Sequence, residues 1–243
     1  MSEKLNLLDV CPEFFTTGVF NPAAAILTWL KNEDAYWEYQ GESSSERPHA
    51  ELSGGGCSNG FIDMPAILKY PYICEILGKE LGKRLKMSGV EADWVISSPY
   101  SAITLGHEVA KELGAIFGHP IKDPTDPKQK RMLWRGRLLP KGSRVLQVEE
   151  LITTTSTIVE VRNAVEEVHK GKYLQWFAMV GTAVHRPALL PVVFAIPRIV
   201  ALLEKEMQNY IKDKITGTTN CPYCEVGSEK LRPRDNWAEL TGT

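Results

Sequence analysis

Apolar positions along the chain repeat with two different periods. Over residues 72–86, Ile73, Ile76, Leu77, Leu81 and Leu85 fall on one stripe, which predicts an amphipathic helix. The same spacing predicts helices over 22–39, with Ile26, Leu27, Leu30 and Trp37 inward, and over 101–113, with Ala102, Leu105, Val109 and Leu113 inward. Gly114 follows the second as a C-cap. Short, mainly apolar runs at 94–96, 174–180 and 192–196, with Val145, Leu146 and Val148 in a fourth, predict strands covered on both faces. After that fourth strand, Thr157 and Glu160 have capping-box spacing, and Ile158, Val161, Val165 and Val168 recur on one helical face. Strands alternating with helices predict an α/β fold with a mainly parallel sheet. Two stretches interrupt the pattern. Residues 40–60 collect Gly, Ser, Glu and Cys and are expected to be a loop. Residues 123–142 carry Pro124, Pro127, Pro140 and many basic side chains, and are expected to leave the sheet, too polar to pack.

With 243 residues the chain is long enough for one α/β domain with a sizeable core, or such a domain and a small cap. A net charge of −2 gives no reason to expect a surface for nucleic acid or an anionic membrane. No apolar run reaches bilayer length, and the Met1 end lacks a basic segment followed by an apolar core. Five cysteines at irregular spacing do not form a secreted disulfide framework, so a cytoplasmic protein is expected.

The stretch running from Arg144 to Thr157 carries the most chemistry. An apolar strand ends in two adjacent carboxylates, Glu149 and Glu150, and then Thr153, Thr154, Thr155, Ser156 and Thr157 open a helix. A helix start presents unpaired N–H groups and the positive end of a dipole, so it attracts phosphate, and the hydroxyls can donate to the same anion. The carboxylates cannot bind that phosphate, but they can accept hydrogen bonds from sugar hydroxyls or hold a cation. Side by side, the two features suit a phosphorylated sugar.

These residues resemble the phosphoribosyl-pyrophosphate (PRPP) motif of the type I phosphoribosyltransferases: an apolar strand, two acids, then Thr-Thr-Gly and a small residue. Other segments resemble one branch, the orotate phosphoribosyltransferases. Residues 52–62, Leu-Ser-Gly-Gly-Gly-Cys-Ser-Asn-Gly-Phe-Ile, are similar to that branch's Ser-Gly segment, here Ser53 and Gly54. Residues 93–115 are similar to its pyrophosphate loop, here Ser98, Pro99, Tyr100 and Ser101, and the helix after it. Arg131-Met-Leu-Trp-Arg-Gly-Arg137 resembles the end of its mobile catalytic loop, and Cys221-Pro-Tyr-Cys224 its Cys-Pro-x-Cys tail. The resemblance covers residues 49–228 in consistent order, and leaves 21–47 as an insertion. It implies a type I phosphoribosyltransferase core of mainly parallel sheet flanked by helices, with a small hood. The hood segment is expected over residues 1–65, the core over 66–200 and a tail over 201–243.

The implied reaction is transfer of the 5-phosphoribosyl group from PRPP to orotate, with release of pyrophosphate. By resemblance, Glu149 and Glu150 meet the ribose hydroxyls, Thr153 to Thr157 hold the 5′-phosphate, and the loop from Ser98 receives the pyrophosphate. Lys130, Arg131 and Arg135 are implied to be the catalytic cations, brought in by a mobile loop with Lys128 nearby. Mg²⁺ is expected to enter with PRPP, held by substrate oxygens, and a homodimer is expected because such loops reach across one.

The chain also departs from the family. Thr155 and Ser156 stand where the family usually has Gly-Gly or Gly-Thr, so a positive φ at Thr155 would strain the turn by about 1–3 kcal/mol. Ser101 and Ala102 replace a glycine-containing pair in the pyrophosphate loop. Val159 stands where the family has the arginine that meets orotate's carboxylate, and Arg162 is on another helical face. Two other readings therefore stay open: a phosphoribosyltransferase for an uncharged base, and a non-catalytic PRPP or nucleotide binder. No metal site is expected from the residues themselves. Cys221 and Cys224 supply at most half of one, and His49, His107, His169 and His185 show no ligand spacing. Arg232, Arg234 and Trp237 lie in a tail expected to cover a neighbouring subunit.

Overall fold

The computed structural model describes residues 4–11, 20–52, 55–127, 131–187, 198–211, 217 and 219–242. After a 3₁₀ turn at Leu7–Asp9 come α1 (Pro22–Asn32), β1 (Tyr36–Glu38), β2 (His49–Glu51), β3 (Cys57–Ser58) and β4 (Gly60–Ile62). The central part holds α2 (Pro65–Leu68), α3 (Pro71–Met87), β5 (Trp94–Ser97), α4 (Ile103–Leu113), β6 (Ile116–Gly118), β7 (Ile121–Lys122), β8 (Met132–Leu133), β9 (Arg144–Ile152) and α5 (Ser156–Val168). The chain continues through β10 (Gln175–His185), β11 (Arg198–Glu204), β12 (Asn209–Tyr210), α6 (Pro222–Glu225), β13 (Lys230–Leu231) and α7 (Trp237–Thr241).

Five strands pair in the order β11-β10-β9-β5-β6, and every pairing is parallel. Numbered by their own succession, these strands run 2-1-3-4-5 across the sheet. The direction of winding reverses between β5 and β9, where a doubly wound sheet opens a crevice at its carboxyl edge. That order produces the α/β core the alternation predicts. Val145, Leu146, Val148, Val95 and Ile96 are buried, as residues of a sheet covered on both faces must be.

The helix stripes hold where packing is dense. Ile73, Ile76, Leu77, Leu81 and Leu85 of α3 are all buried, as are Leu105 and Val109 of α4. Helices α3 and α4 lie close because Gly78 and Gly82 present no side chain. A Cβ on Gly78 would stand 2.3 Å from the Cβ of Glu108, and one on Gly82 would stand 2.5 Å from the Cγ of Glu112. On α5, Ile158, Val161 and Val165 are buried, but Val168, the last helical residue, is 41 % exposed.

Three expectations are corrected. The helix expected over 22–39 ends at Asn32. The chain turns through Asp34 at φ 52° and forms β1, because Tyr36 to Glu38 find β4 as an antiparallel partner. The stretch 40–60 is not all loop: β2 and β3 pair within it and join β12 and β13 in a four-stranded sheet. The stretch 123–142 does pack. Met132, Trp134 and Leu139 are buried with Trp94, Ile96 and Val161. The Leu139 amide donates to Nε2 of buried His169 at 2.7 Å, which fastens the excursion to the end of α5. Within the chain, the tail pairs Arg232 with Glu51 and Arg234 with Asp63, and sets Trp237 beside Phe61. The strand expected at 192–196 lies outside the described residues, and β11 begins at Arg198.

Replacing Gly78 with alanine forces α3 and α4 apart. The substitution is expected to lower stability by about 1–3 kcal/mol, read as a reduced urea midpoint at unchanged slope.

Candidate active site

Strand β5 ends at Ser97 and pairs with β9 through Ser97 and Val148. The residues just beyond on each strand therefore face one another at the carboxyl edge. Ser98 Oγ donates to Glu149 Oε2 at 2.5 Å, and Ser101 Oγ donates to Glu150 Oε1 at 2.5 Å. These two bonds join the loop Ser98, Pro99, Tyr100, Ser101 to the acidic pair. The peptide between Pro99 and Tyr100 is cis. Ser98 and Pro99 are buried, whereas Tyr100 is 66 % exposed.

Glu149 is 2 % exposed, and burial pushes its carboxyl up to about 8, with the charge of Glu150 adding to the rise. Hydrogen bonds from Ser98 and Gln147 and the charge of Lys122 oppose that rise. Gln147 Nε2 donates to Glu149 Oε1 at 2.7 Å, and Arg162 Nε donates to Gln147 Oε1 at 3.1 Å. Arg162 also lies over the Trp176 ring and is held there. Burial raises Glu150 as well, opposed by the Ser101 hydroxyl and nearby backbone amides.

The hydroxyl run forms a shelf at the start of α5. Thr153 and Thr155 are half-buried, while Thr154, Ser156 and Thr157 are exposed, and the Thr154 and Ser156 hydroxyls are 2.9 Å apart. Thr155 is the N-cap residue at φ −84°, so it carries none of the positive-φ strain expected of it. Its side chain makes no capping bond, and the expected capping box of Thr157 and Glu160 is not formed, because Thr157 is already inside the helix. The Ser156, Thr157 and Ile158 amides belong to the first turn, where no carbonyl lies four residues back within the helix. Donor amides and free hydroxyls thus share one surface.

Other candidates are placed elsewhere. Arg131 pairs with Asp123 at 3.7 Å and with Glu167 at 3.3 Å, toward the far end of α5 from the cradle, and Arg135 is exposed. Lys128, Lys130, Ser53 and Gly54 lie outside the described residues. Val159 is 46 % exposed on the first turns of α5.

Two residues that periodicity passed over matter here. Gln147 is the one polar residue in the buried run from Val145 to Val148, which was its visible signal. Arg186 directly follows β10, and its amide donates to Ile152 O at 2.8 Å, beside the end of β9. Its guanidinium is 3 % exposed and donates to Ser58 Oγ and to Asn209 Oδ1, while its buried Nε lacks a partner among the described residues. Burial pulls the guanidinium down to about 10.

A doubly wound sheet, with paired acids and a hydroxyl-lined helix start at its switch point, is the architecture of the type I phosphoribosyltransferases. The solved orotate phosphoribosyltransferase of Aeropyrum pernix superposes with a TM-score of 0.50 at 18% identity, over 74% of this chain and 93% of that one. The orotate phosphoribosyltransferase of Caldanaerobacter subterraneus subsp. tengcongensis is 30% identical over 187 residues, spanning 76% of this chain and 87% of the relative. That of Thermoanaerobacter sp. strain X514 is 31% identical over 185 residues, with the same coverage. No protein-family model matches the chain. The chain belongs to the orotate phosphoribosyltransferase family, a family of enzymes.

The buried acid has a pH consequence. Glu149 prefers its proton in the folded state up to about pH 8, whereas an unfolded chain loses it near 4.5. Its burial therefore costs nothing below the lower value, and stability falls as pH rises through the interval. At 1.36 kcal/mol per pKa unit the loss is at most about 5 kcal/mol. Glu149→Gln should gain stability relative to the parent between pH 5 and pH 8, as measured by urea midpoints at both pH values.

Proposed function

We propose that this chain transfers the 5-phosphoribosyl group of PRPP to orotate and releases pyrophosphate. The observation that carries the proposal is the pair of hydroxyl–carboxylate bonds at the switch point, which brings a pyrophosphate-type loop and an acidic pair together next to a phosphate shelf. The curated relatives bear the name of that activity.

In this reading Glu149 and Glu150 exchange the Ser98 and Ser101 hydroxyls for the ribose hydroxyls of PRPP. Ser98 and Ser101 then turn toward the pyrophosphate, with the backbone of their loop. Thr153, Thr154, Ser156 and Thr157, with the amides opening α5, hold the 5′-phosphate. Where an acid of this pair is ionised beneath the ribose, it favours the positive charge that develops there as the glycosidic bond breaks, and lowers the barrier by what it gains in the transition state alone. Mg²⁺ belongs to the bound PRPP, where it neutralises pyrophosphate oxygens; hard oxygen ligands suit it, and the acids lie where the ribose end of that complex would be. Lys130, Arg131 and Arg135 complete the neutralisation when their loop closes, supplied within a homodimer.

Orotate's carboxylate needs a cation in a partly dry pocket. Val159 cannot supply one, and Arg162 is committed to Gln147 and Trp176. Arg186 is the buried cation beside the end of β9 with donor capacity left, and we assign it to the carboxylate. Val159 also favours a second reading, in which the accepted base is uncharged and Arg186 only braces Ser58 and Asn209.

Pyrophosphate release from Mg²⁺–PRPP, measured with orotate, uracil, the purine bases, nicotinate or no base, separates these. Release with orotate alone is expected; release with an uncharged base instead establishes the second reading, and silence with every base refutes both. Thr154→Val should raise the KM for PRPP about tenfold or more. Glu150→Gln should lower kcat/KM by about 10–150-fold, the equivalent of one charged hydrogen bond at about 1.5–3 kcal/mol.

A further inference from the structure

The hood sheet brings together four side chains that lie far apart in sequence. Cys221 precedes α6 and Cys224 lies within it, so one short turn presents both sulfurs. Cys57 lies on β3 and His49 on β2, and both are fully buried. One ligand atom from each of the four lies within 4.8 Å of every other.

The separations are informative. Zinc binds sulfur at about 2.3 Å and imidazole nitrogen at about 2.0–2.1 Å, so a tetrahedron has S···S edges of about 3.8 Å and S···N edges of about 3.5 Å. Cys57 Sγ stands 3.6 Å from Cys224 Sγ, and Cys224 Sγ stands 3.4 Å from His49 Nε2. A disulfide would need about 2.05 Å. The Cys57 and Cys224 sulfurs are therefore spaced as neighbours around a metal, not as a bonded pair.

The imidazole is set in the tautomer that such a site needs. Ser228 Oγ spends its hydrogen on the Arg47 carbonyl oxygen at 2.6 Å, so toward His49 Nδ1, 2.8 Å away, it can only accept. Nδ1 then carries the proton, and the Nε2 lone pair is left facing Cys224. A hydrogen bond that fixes the non-ligating nitrogen is the usual support of a metal-bound histidine. The amides of Tyr223 and Cys224 also reach the Cys221 sulfur. Tyr39, Tyr210 and Tyr223 pack against the cluster and keep water from it. Three sulfurs and a nitrogen, with no carboxylate, select zinc over magnesium or calcium.

We propose that His49 Nε2 and the Sγ atoms of Cys57, Cys221 and Cys224 bind one structural Zn²⁺. Metal entry displaces three thiol protons to solvent, and four protein ligands leave no position for substrate, so the role is a staple. The strands β2, β3, β12 and β13 have two or three residues each, too short to hold a sheet by themselves. The metal would tie β2 and β3 to the chain just before β13. It would also fix Cys57, three residues after Gly54, at the base of the segment that resembles the family's Ser-Gly element.

The test uses the untagged full chain, purified from zinc-supplemented cells and analysed for metal by inductively coupled plasma mass spectrometry. About one zinc per chain is expected, and chelator treatment should lower the melting temperature and expose three further reactive thiols. Cobalt(II) reconstitution should produce the visible bands of a tetrahedral thiolate site, a readout that requires no variant to fold. Cys224→Ser and His49→Ala should reduce metal content, whereas Cys11→Ser should retain it. Absence of zinc and of a cobalt spectrum in the unaltered protein, a disulfide among these cysteines, or full zinc content in both ligand variants would overturn the proposal.

Discussion

A carboxyl group buried at the end of a parallel strand has to be met by donors, and the architecture at the carboxyl edge follows from meeting that need at Glu149. Ser98 reaches it from the end of β5, Gln147 from two residues earlier on its own strand, and Arg162 holds Gln147 from α5. The Ser98 bond requires β5 and β9 to be adjacent and in register, with Ser97 opposite Val148. The chain Arg162–Gln147–Glu149–Ser98 therefore ties α5, two strands and a loop into one unit. A buried acid with incomplete compensation is costly, which is why its carboxyl stays protonated well above the ordinary range.

The same constraint explains how unusual residues are tolerated in the two loops. Where glycine-containing pairs are expected from the resemblance, this chain has Thr155-Ser156 and Ser101-Ala102. Thr155 adopts an ordinary negative φ, so the cradle accommodates a β-branched residue without strain. Ser101 uses its added hydroxyl on Glu150, giving the loop an anchor that glycine could not provide.

The hood poses a different physical problem. Its sheet is made of very short strands drawn from both ends of the described chain, β2 and β3 on one side and β12 and β13 on the other. Neither part buries enough apolar surface to hold itself, so buried polar links are concentrated there: His49 to Ser228, Arg186 to Ser58 and Asn209, and the cysteine cluster. Arg186 joins the hood to the end of β10, and so ties the small sheet to the edge of the core where the candidate site lies.

Periodicity alone determined the parts of this protein that rest on local burial. The α3 stripe, the β9 run and the Gly114 cap were all legible, because a helix or a central strand buries a repeating set of its own residues. The acidic pair and the hydroxyl run were legible for the same reason: they are adjacent in sequence and in space. Pairing across distance was not legible. Tyr36 to Glu38 continued a helical pattern until β4 offered them an edge, and Met132, Trp134 and Leu139 were hidden in a polar segment until β5 and α5 gave them a surface. Cys57 and His49 had no recognisable spacing with Cys221 and Cys224, since the partners are separated by 167 and 175 residues. Only the folded chain decides such neighbours, because the free energy of a long-range contact depends on what every intervening element has already buried.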